Sequence, residues 1–424
     1  MNVIVIGGGA AGFFAALSCK KHNPEFSVTI LEKSDKLLAK VKVSGGGRCN
    51  VTHACFENNQ LAKFYPRGGK QLKNAFYQFS TKDTVEWFES RGVKLKTEED
   101  NRMFPVTNNS QTIIDCLMGE ANKLGVKIQK GISISEIRKS RKSEDPSSGG
   151  KENGFSLIAR NKEIHADKII IASGGSSKIE GFNWLKELRH TIVPPVPSLF
   201  TFNMPNEPIK KLMGVVANPV IVKVRIPHAV SQRLFSEGAL LITHWGMSGP
   251  AILKLSAWGA RELNALNYKF EILVNWLGDK NETEVRNFLE EEIKTIGKRQ
   301  VGNKNPFQLP NRLWLFFLEK NEIDSETTWN QVRKKNLNKL LNTLVNDSYK
   351  AEGKTTFKEE FVTCGGVSLD EVSFETMESK VCPGIYFAGE VLDIDAVTGG
   401  FNFQAAWTTG FIAGKLATNY TNLH

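Results

Sequence analysis

The segment NVIVIGGGAAG, residues Asn2–Gly12, decides the fold of this chain. Its first five residues are an apolar, β-branched run that predicts a strand buried on both faces. The run ends in a glycine turn with GxGxxG spacing, and Phe13–His22 predicts a helix behind the turn. Because Ser27–Glu32 predicts a second strand, the chain opens on a βαβ unit of about 30 residues, the size used for nucleotide binding.

The three glycines of this turn have different roles. Gly7 permits the tight turn, Gly9 lets the backbone approach a pyrophosphate, and Gly12 lets helix and strand pack closely. The helix N-terminus adds backbone N–H groups and a partial positive charge. Glu32 ends the second strand, 20 residues after Gly12, where a carboxylate accepts hydrogen bonds from an unphosphorylated ribose. This combination predicts dinucleotide binding; the alternative is a purely structural glycine turn.

A second glycine-rich segment, SGGGRCN, spans Ser44 to Asn50. Its consecutive glycines expose backbone N–H groups and Arg48 adds a fork of donors, which suits a pyrophosphate or an electron-rich ring edge. The alternative is a flexible turn followed by a buried cysteine. We expect Cys49 to be packed rather than redox-active, since Cys55, six residues on, is too distant in sequence for a tight pair.

Two later segments also end strands in small-residue turns. Ile169–Ser176 is a buried strand followed by a Ser-Gly turn, a weak signal for close approach to a cofactor. Gly384–Glu390 predicts a strand that delivers an acid able to bind ribityl hydroxyls, and Thr398–Gln404 opens a helix. That helix N-terminus suits negative charge on a reduced flavin ring. This order favours tightly, non-covalently bound FAD over NAD; with no second GxGxxG, NAD(P)H is expected only as a transient donor.

Length and composition exclude several classes of protein. The 424 residues correspond to about three domains. Hydrophobic residues make up 41% and charged residues 24%, which excludes wholesale disorder. The six cysteines show neither zinc nor disulfide spacing, so we expect no metal site and a cytoplasmic location. No apolar run is long enough for a membrane helix, and the glycines interrupting the apolar start argue against a signal peptide.

Charge and element pattern divide the chain into four segments. Residues 1–190 carry a net charge of +10 and are predicted to be the first part of an FAD-binding domain. A proline-rich, strand-rich insertion follows over 191–279 and a helical insertion over 280–356, together at +6. Residues 357–424, at −6, return to the FAD-binding domain. The +6 of the insertion is the part of the charge that points to an anionic partner.

These motifs resemble the BaiN-like flavoproteins, also called the aminoacetone-oxidase-type FAD-binding family. The resemblance spans nearly the whole chain and rests on GGGAAG, KVSGGGRCNVT, THWGMSGPAILKLS (Thr243–Ser256) and GIYFAGEVLDIDAVTGGFNFQAAWTTGFIAG (Gly384–Gly414). It implies an α/β fold: a glutathione-reductase-type, Rossmann-like FAD domain interrupted by a β-barrel-like plus helical insertion. The family's longer segment after the strand and turn at Ile169–Ser176 is missing here, where the chain reads Gly174–Phe182, so we expect a different substrate pocket.

The resemblance also implies a set of FAD contacts. They are Gly7, Gly9, Ala11, Gly12, Glu32, Lys33, Gly47, Arg48, Cys49, Asn50, Ala172, Gly389, Glu390, Gly400, Phe401 and Asn402.

The catalytic candidates are His244, His53 and Cys49. A histidine suits proton transfer because its pKa is ordinarily about 6.5; the alternative for both histidines is a packing role. The pattern predicts an FAD-dependent oxidoreductase, with NAD(P)H as donor and a small organic substrate or dioxygen as acceptor, acting as a monomer or homodimer. One alternative is a flavin-dependent RNA-modifying enzyme, although no nucleic-acid-binding motif is visible. Another is a non-catalytic FAD-binding protein with a redox-sensing or interaction role.

Overall fold

The computed structural model describes residues 1–139, 154–160, 162–225, 234–356 and 362–417. The chain forms two compact units. The first contains Met1–Pro197 and Lys358–His424, and the second contains Ser198–Phe357. No helix within the described ranges combines the length and the apolar character that crossing a membrane requires.

Twenty strands are present in the described ranges. They are β1 (Asn2–Ile6), β2 (Ser27–Glu32), β3 (Thr52–His53), β4 (Leu95–Thr97), β5 (Arg102–Pro105), β6 (Lys127–Lys130), β7 (Glu136–Lys139), β8 (Phe155–Ala159), β9 (Lys162–Ala166), β10 (Lys168–Ile171), β11 (Ile192–Pro197), β12 (Thr201–Asn203), β13 (Val216–Arg225), β14 (Phe235–Ile242), β15 (Gly246–Ser248), β16 (Lys269–Asn275), β17 (Asp347–Glu352), β18 (Lys354–Thr355), β19 (Thr363–Val367) and β20 (Ile385–Phe387).

Thirteen α-helices lie in the same described ranges. They are α1 (Ala10–His22), α2 (Ala39–Gly47), α3 (Asn58–Leu61), α4 (Gly69–Ala75), α5 (Thr81–Glu89), α6 (Gln111–Lys123), α7 (Asn183–Glu187), α8 (Pro250–Trp258), α9 (Ala260–Ala265), α10 (Glu282–Ile296), α11 (Asn311–Lys320), α12 (Lys334–Asn346) and α13 (Phe401–Leu416).

The first unit is built on a parallel five-stranded sheet with the order β20-β10-β1-β2-β6. Strand β1 is apolar and its core residues are buried, as the sequence predicts for a central parallel strand. The chain runs from β1 to β2 on one side and returns to β10 on the other. This reversal is the switch point at which open α/β sheets bind ligands, outside the carboxyl ends of their strands.

Helices α1 and α13 pack against each other through small residues. A Cβ added at Gly410 would lie 2.6 Å from the carbonyl oxygen of Ala11, and one at Gly414 would lie 2.1 Å from that of Ala15. The two helix axes can approach this closely only because α13 carries no side chain at these positions. Helix α1, which begins at Ala10, is thereby fixed to helix α13, which begins at Phe401, near the other end of the sequence.

The first unit reaches Pro197 rather than residue 190, where the sequence pattern changes. The reason is that β11 pairs in antiparallel fashion with β19, which belongs to the returning part of the same unit. Two further antiparallel sheets, β3-β5-β4 and β7-β8-β9, complete the strands of this unit. The functions assigned to the four predicted segments remain predictions.

The second unit contains a seven-stranded antiparallel sheet with the order β17-β16-β13-β14-β15-β12-β18. One hydrophobic core joins strands to helices: Val222 and Ile272 belong to the same buried cluster as Leu289, Trp314 and Leu340. The β-rich and helical parts of the insertion therefore share a core. Closure of this sheet into a barrel remains a prediction.

Candidate functional site

The turn after β1 brings three elements of the first unit together. The backbone N–H of Gly8 donates to Glu32 Oε2 at 2.8 Å. Gly7 has φ +115°, and a Cβ there would lie 2.3 Å from the carbonyl oxygen of Ala172. A Cβ on Gly12 would lie 1.9 Å from the carbonyl oxygen of Gly7. Side chains at Gly7 or Gly12 would therefore collide with the protein's own backbone.

Gly9 differs from its neighbours. It caps α1 with extended backbone angles, φ −93° and ψ −171°, which any residue adopts. A Cβ added here meets no described atom within 4 Å. The turn thus leaves open space beside the first turn of α1, whose N–H groups have no acceptor within the helix. An anion fits this position by charge and by shape.

Glu32 is held in place at the end of β2. Its Oε1 accepts from the backbone N–H of Ser34 at 2.8 Å and from the hydroxyl of Ser34 at 2.9 Å. With Oε2 bound to Gly8, the carboxylate is oriented from two sides and its oxygens keep further acceptor capacity. The next residue, Lys33, is exposed.

The SGGGRCN segment lies at the end of α2, where the helix is interrupted. Gly45, Gly46 and Gly47 have φ values of +58°, +69° and +83°, a run that favours glycine. A Cβ at Gly46 or Gly47 would meet no described atom within 4 Å, so this loop also borders open space. Arg48 Nη1 pairs with Glu98 Oε1 at 2.7 Å, and its guanidinium lies 4.1 Å from the ring centroid of Phe104.

The two residues after Arg48 are buried. Burial raises the pKa of the Cys49 thiol to about 12, a shift that a hydrogen bond with Ser44 only partly opposes. The thiol is therefore protonated at neutral pH, whereas a redox-active cysteine reacts as its thiolate. Asn50 is 8% exposed, and its Oδ1 has no hydrogen-bond partner among the described residues. A buried acceptor of this kind indicates a missing donor.

The carboxyl ends of β10 and β20 complete this edge of the sheet. Ala172 follows β10 and is buried against Gly7. Gly389 follows β20 with φ +75°, and a Cβ there would lie 2.8 Å from the Cβ of Ala11. Its neighbour Glu390 forms an ion pair with Lys40, Nζ to Oε2, at 2.5 Å.

Helix α13 begins close to the SGGGRCN segment. A Cβ at Gly400 would lie 2.6 Å from the carbonyl oxygen of Thr52 and 2.8 Å from Asn50 Oδ1. The Asn402 amide is bound to the backbone of Ala396, accepting at 2.9 Å and donating at 3.2 Å. This leaves the backbone N–H groups of the first turn as the part of α13 that can face a ligand.

The ring of Phe401 is occupied by aromatic packing. It is buried, stacks on Phe64 at 4.3 Å between ring centroids, and lies 4.4 Å from the ring of His53. His53 Nδ1 is 3.1 Å from the carbonyl oxygen of Gly399. Since a carbonyl can only accept, Nδ1 carries the hydrogen in this contact.

His244 lies in the second unit, on the exposed turn between β14 and β15. Its ring is 4.5 Å from that of Trp245, which is 44% exposed. The other two catalytic candidates, His53 and Cys49, both belong to the first unit with the glycine-rich turns.

These features fit FAD. Open space borders Gly9, Gly46 and Gly47, the first turns of α1 and α13 offer N–H groups, and Asn50 Oδ1 offers a buried acceptor. A dinucleotide carries both an anionic pyrophosphate and a ring edge with N–H groups, so it can satisfy each of these.

A family model described as the HI0933-like protein Rossmann domain matches residues 1–416. The chain belongs to this family.

Three relatives match this chain over nearly its whole length. It is 26% identical to the 3-dehydro-bile acid delta(4,6)-reductase of Clostridium scindens, over 98% of this chain and 99% of the relative. It is also 26% identical to the ribosomal RNA dihydrouridine synthase of Escherichia coli, over 98% of this chain and 97% of the relative. A protein of the same name from Haemophilus influenzae is 27% identical over 96% of both chains.

A solved structure confirms the fold. The 3-ketosteroid delta1-dehydrogenase of Sterolibacterium denitrificans, determined in complex with 1,4-androstadiene-3,17-dione, is similar with a TM-score of 0.50 and 11% identity. The match covers 98% of each chain. The resemblance to BaiN-like flavoproteins and the α/β Rossmann-type fold are confirmed, and this member of the HI0933-like family is an FAD-dependent oxidoreductase. A non-catalytic role is thereby set aside.

Sequence patterns missed the residues that hold this HI0933-like site together. Gln404 and Thr52 are hydrogen-bonded at 2.7 Å although they lie 352 positions apart. Arg67 pairs with Asp395 across 328 positions. The spacing of residues along the sequence predicts neither of these two contacts. The available signal was that Thr52, Asp395 and Gln404 all lie inside the motifs that carry the family resemblance.

Cys49→Ser should leave flavin reduction within about twofold of the wild-type rate, since the thiol is protonated and serves packing. The serine hydroxyl is smaller and needs a hydrogen-bond partner, so a modest loss of stability of about 1 kcal/mol is expected. Anaerobic flavin reduction and thermal unfolding measure the two effects separately. A rate of flavin reduction that falls more than about tenfold while FAD is retained would contradict a packing role. A factor of ten in rate corresponds to about 1.4 kcal/mol.

Proposed function

We propose that this chain binds FAD non-covalently at the carboxyl edge of its parallel sheet and reduces a carbon–carbon double bond conjugated to a carbonyl, with NAD(P)H as the electron donor. The observation that carries the proposal is the convergence of the turns after β1, β2, β10 and β20 with the Asn50 segment and the start of α13 in one unit. The proposed FAD contacts are Gly7, Gly9, Ala11, Gly12, Glu32, Lys33, Gly47, Arg48, Cys49, Asn50, Ala172, Gly389, Glu390, Gly400, Phe401 and Asn402.

The proposed contacts divide by chemistry. The first turn of α1 holds the pyrophosphate beside Gly9, and the oriented carboxylate of Glu32 accepts from the adenosine ribose. Glu390 accepts from the ribityl hydroxyls. The N–H groups at the start of α13 and the Oδ1 of Asn50 bind the ring edge. The contact of Asn402 is through its backbone, because its amide already binds Ala396.

When bound, FAD supplies hydride transfer, and the protein sets its orientation and electrostatics. Among the three catalytic candidates, we assign proton transfer to His53. Its Nδ1–H is held by the carbonyl of Gly399, which places the imidazole ring beside the start of α13. The Cys49 thiol is held protonated by burial.

The proposed substrate class is supported by what two relatives have in common. A delta(4,6)-reductase of a 3-dehydro bile acid and a dihydrouridine synthase are named for different substrates. In both cases the bond concerned is a carbon–carbon double bond conjugated to a carbonyl. Hydride adds readily to the far carbon of such a bond because the carbonyl takes up the negative charge. Dioxygen is the alternative acceptor.

Stopped-flow reduction tests the donor and the acceptor in turn. Under anaerobic conditions NADH or NADPH should bleach the flavin absorbance of the holoenzyme. The reduced enzyme is then mixed with a 4,6-dien-3-one steroid, with ribosomal RNA, or with air-saturated buffer. Reoxidation at least about tenfold faster by an enone than by dioxygen supports the proposal. An enzyme that neither nucleotide reduces would contradict NAD(P)H as the donor.

The second candidate function is reduction of a uridine in RNA. It is favoured by the two relatives named ribosomal RNA dihydrouridine synthase. The span 191–356, with net charge +6, offers positive charge for phosphates. RNA binding that weakens steeply with added salt, together with reoxidation by RNA alone, favours this function. Reoxidation by a steroid enone without any salt-dependent RNA binding excludes it.

The proposal places the enzyme in the cytoplasm, as a monomer or homodimer acting on a small molecule. None of the six cysteines, all of which lie in the described ranges, forms a disulfide, which suits a reducing compartment. Fractionation of cells and light scattering of the purified protein measure location and oligomeric state.

A further inference from the structure

A buried polar network surrounds Gln404, four residues into α13. Its Oε1 accepts from the hydroxyl of Thr52 at 2.7 Å and from that of Thr84 at 3.0 Å. Its Nε2 donates to the hydroxyl of Thr408 at 3.1 Å, which donates in turn to the carbonyl oxygen of Phe79 at 2.8 Å. All four side chains are 0% exposed. Such a network is costly unless each of its groups is satisfied.

The network fixes the orientation of the Gln404 amide. The hydroxyl of Thr408 has one hydrogen, which it gives to Phe79, so it can only accept from Gln404. Nitrogen Nε2 therefore points to Thr408, and Oε1 points to Thr52 and Thr84. The reverse placement would set an amide oxygen against a hydroxyl with no hydrogen left to share.

This amide joins the two segments that border the proposed ring-binding end of the site. The backbone N–H of Gln404 closes the first turn of α13 on the carbonyl of Gly400 at 3.0 Å. Thr52, at its other end, follows Asn50 by two residues. The indole N–H of Trp407 forms a second tie, to the carbonyl of Val51 at 2.9 Å. The start of α13 is thereby fastened to the Asn50 segment from inside the core.

We propose that Gln404 is a positioning residue for the flavin: it fixes the start of α13 relative to Asn50, so that the helix N–H groups and the unsatisfied Oδ1 meet the cofactor together. The two parts lie close already, since a Cβ on Gly400 would be 2.8 Å from Asn50 Oδ1. The inference rests on the placement of FAD in the preceding proposal. Gln404 itself is buried beneath the site and acts through the segments that it joins.

The two threonines that donate to Gln404 provide a matched pair of variants. Thr52 has Gln404 as the acceptor of its hydroxyl and lies on β3, next to the site. Thr84 lies on α5 and can donate instead to the carbonyl of Ser80 at 3.1 Å. Thr52→Val and Thr84→Val remove the same atom at the same degree of burial. Only the first should loosen the link to the Asn50 segment.

The experiment compares wild type, Gln404→Met, Thr52→Val and Thr84→Val as reconstituted holoenzymes. For each, FAD dissociation constant, visible spectrum and flavin midpoint potential are measured. We expect about tenfold weaker FAD binding in Gln404→Met and Thr52→Val, from hydrogen-bond groups left unsatisfied. Their potentials should fall, because the helix N-terminus no longer stabilises charge on the reduced ring. Thr84→Val should match wild type in all three.

The outcomes separate this inference from the cofactor placement. Wild type that holds no FAD after reconstitution overturns both. A second outcome is that wild type binds FAD, while Thr52→Val and Thr84→Val do not differ in spectrum, midpoint potential or FAD affinity. This outcome overturns the positioning role alone. If Gln404→Met does not fold, the comparison of Thr52→Val with Thr84→Val tests the positioning role. Equal losses of unfolding temperature in both threonine variants, with unchanged flavin in both, show a purely structural network and also overturn the inference.

Discussion

Gly9→Val is expected to abolish FAD retention while the protein remains folded. The backbone at Gly9, with φ −93°, is one that valine adopts without strain, and no described atom lies within 4 Å of the added Cβ. In the holoenzyme the same space is proposed to hold the pyrophosphate, so the isopropyl group meets the cofactor. We expect FAD affinity to fall by about a hundredfold or more, the equivalent of roughly 3 kcal/mol of steric conflict.

Two matched substitutions define what this result means. Gly119, on α6, also has open space around its Cβ, so Gly119→Val tests the same change away from the glycine turns and should keep FAD. Gly12→Ala places a Cβ 1.9 Å from the carbonyl oxygen of Gly7 and should damage the fold itself. Gly9→Val thus removes the cofactor, Gly12→Ala removes stability, and Gly119→Val removes neither.

Flavin content of the purified, reconstituted variants and the unfolding temperature of each apoprotein measure the two effects. FAD binding adds to stability by mass action, so apoproteins must be compared with apoproteins. Gly9→Val that retains FAD with near wild-type affinity would place the pyrophosphate elsewhere and refute the proposed role of the first turn of α1.

The positions of the turns after β1, β10 and β20 could be predicted from the sequence because each turn follows a short apolar strand. In a parallel sheet the carboxyl ends of the strands meet at one edge, so Gly7, Glu32, Ala172 and Gly389 converge without any long-range information. The start of α1 was harder to predict. The helix begins at Ala10 rather than at Phe13, because the small residues after Gly9 can join the first turn.

The hydrogen-bond and ion-pair partners of the polar side chains could not be predicted from the sequence. Arg48 was expected to supply donors to a cofactor, and the structure gives it Glu98, 50 positions later. Asn402 binds the backbone of Ala396, and the ring of Phe401 packs on Phe64. These contacts depend on how loops fold over the sheet edge, which neither periodicity nor spacing encodes.

The insertion shows the same limit. Its strands and helices follow their hydrophobic periods, so their existence could be predicted. Their shared hydrophobic core could not be predicted, because the periodicity of one element shows only that this element has an apolar face. Burial of Ile272 on β16 with Leu289 on α10 is a tertiary fact.

Arg67→Ala is expected to destabilise the first unit by about 3–5 kcal/mol, the cost of breaking a buried ion pair from one side. Asp395 is 0% exposed and the Arg67 side chain 15%. The guanidinium binds both carboxylate oxygens, with Nε donating to Oδ1 at 2.6 Å and Nη2 donating to Oδ2. Burial works against the charge on Arg67, but Asp395 outweighs it and raises the pKa of the guanidinium.

The effect should reach the proposed cofactor site. Asp395 precedes Ala396, whose backbone is bound by the side chain of Asn402 in the first turn of α13. A buried carboxylate deprived of its guanidinium must be protonated, rehydrated or moved, and each of these displaces the segment that leads into α13. Weaker FAD binding is therefore expected together with lower stability.

Urea unfolding of the apoproteins measures the loss, with Lys294→Ala as the comparison. Lys294 pairs with Glu291 on α10 while both side chains are largely exposed, at 68% and 72%, so its loss should cost no more than about 0.5 kcal/mol. The double variant Arg67→Met with Asp395→Leu should be more stable than Arg67→Ala, because no charge is then left buried. Arg67→Ala no less stable than Lys294→Ala would contradict the role given to this pair.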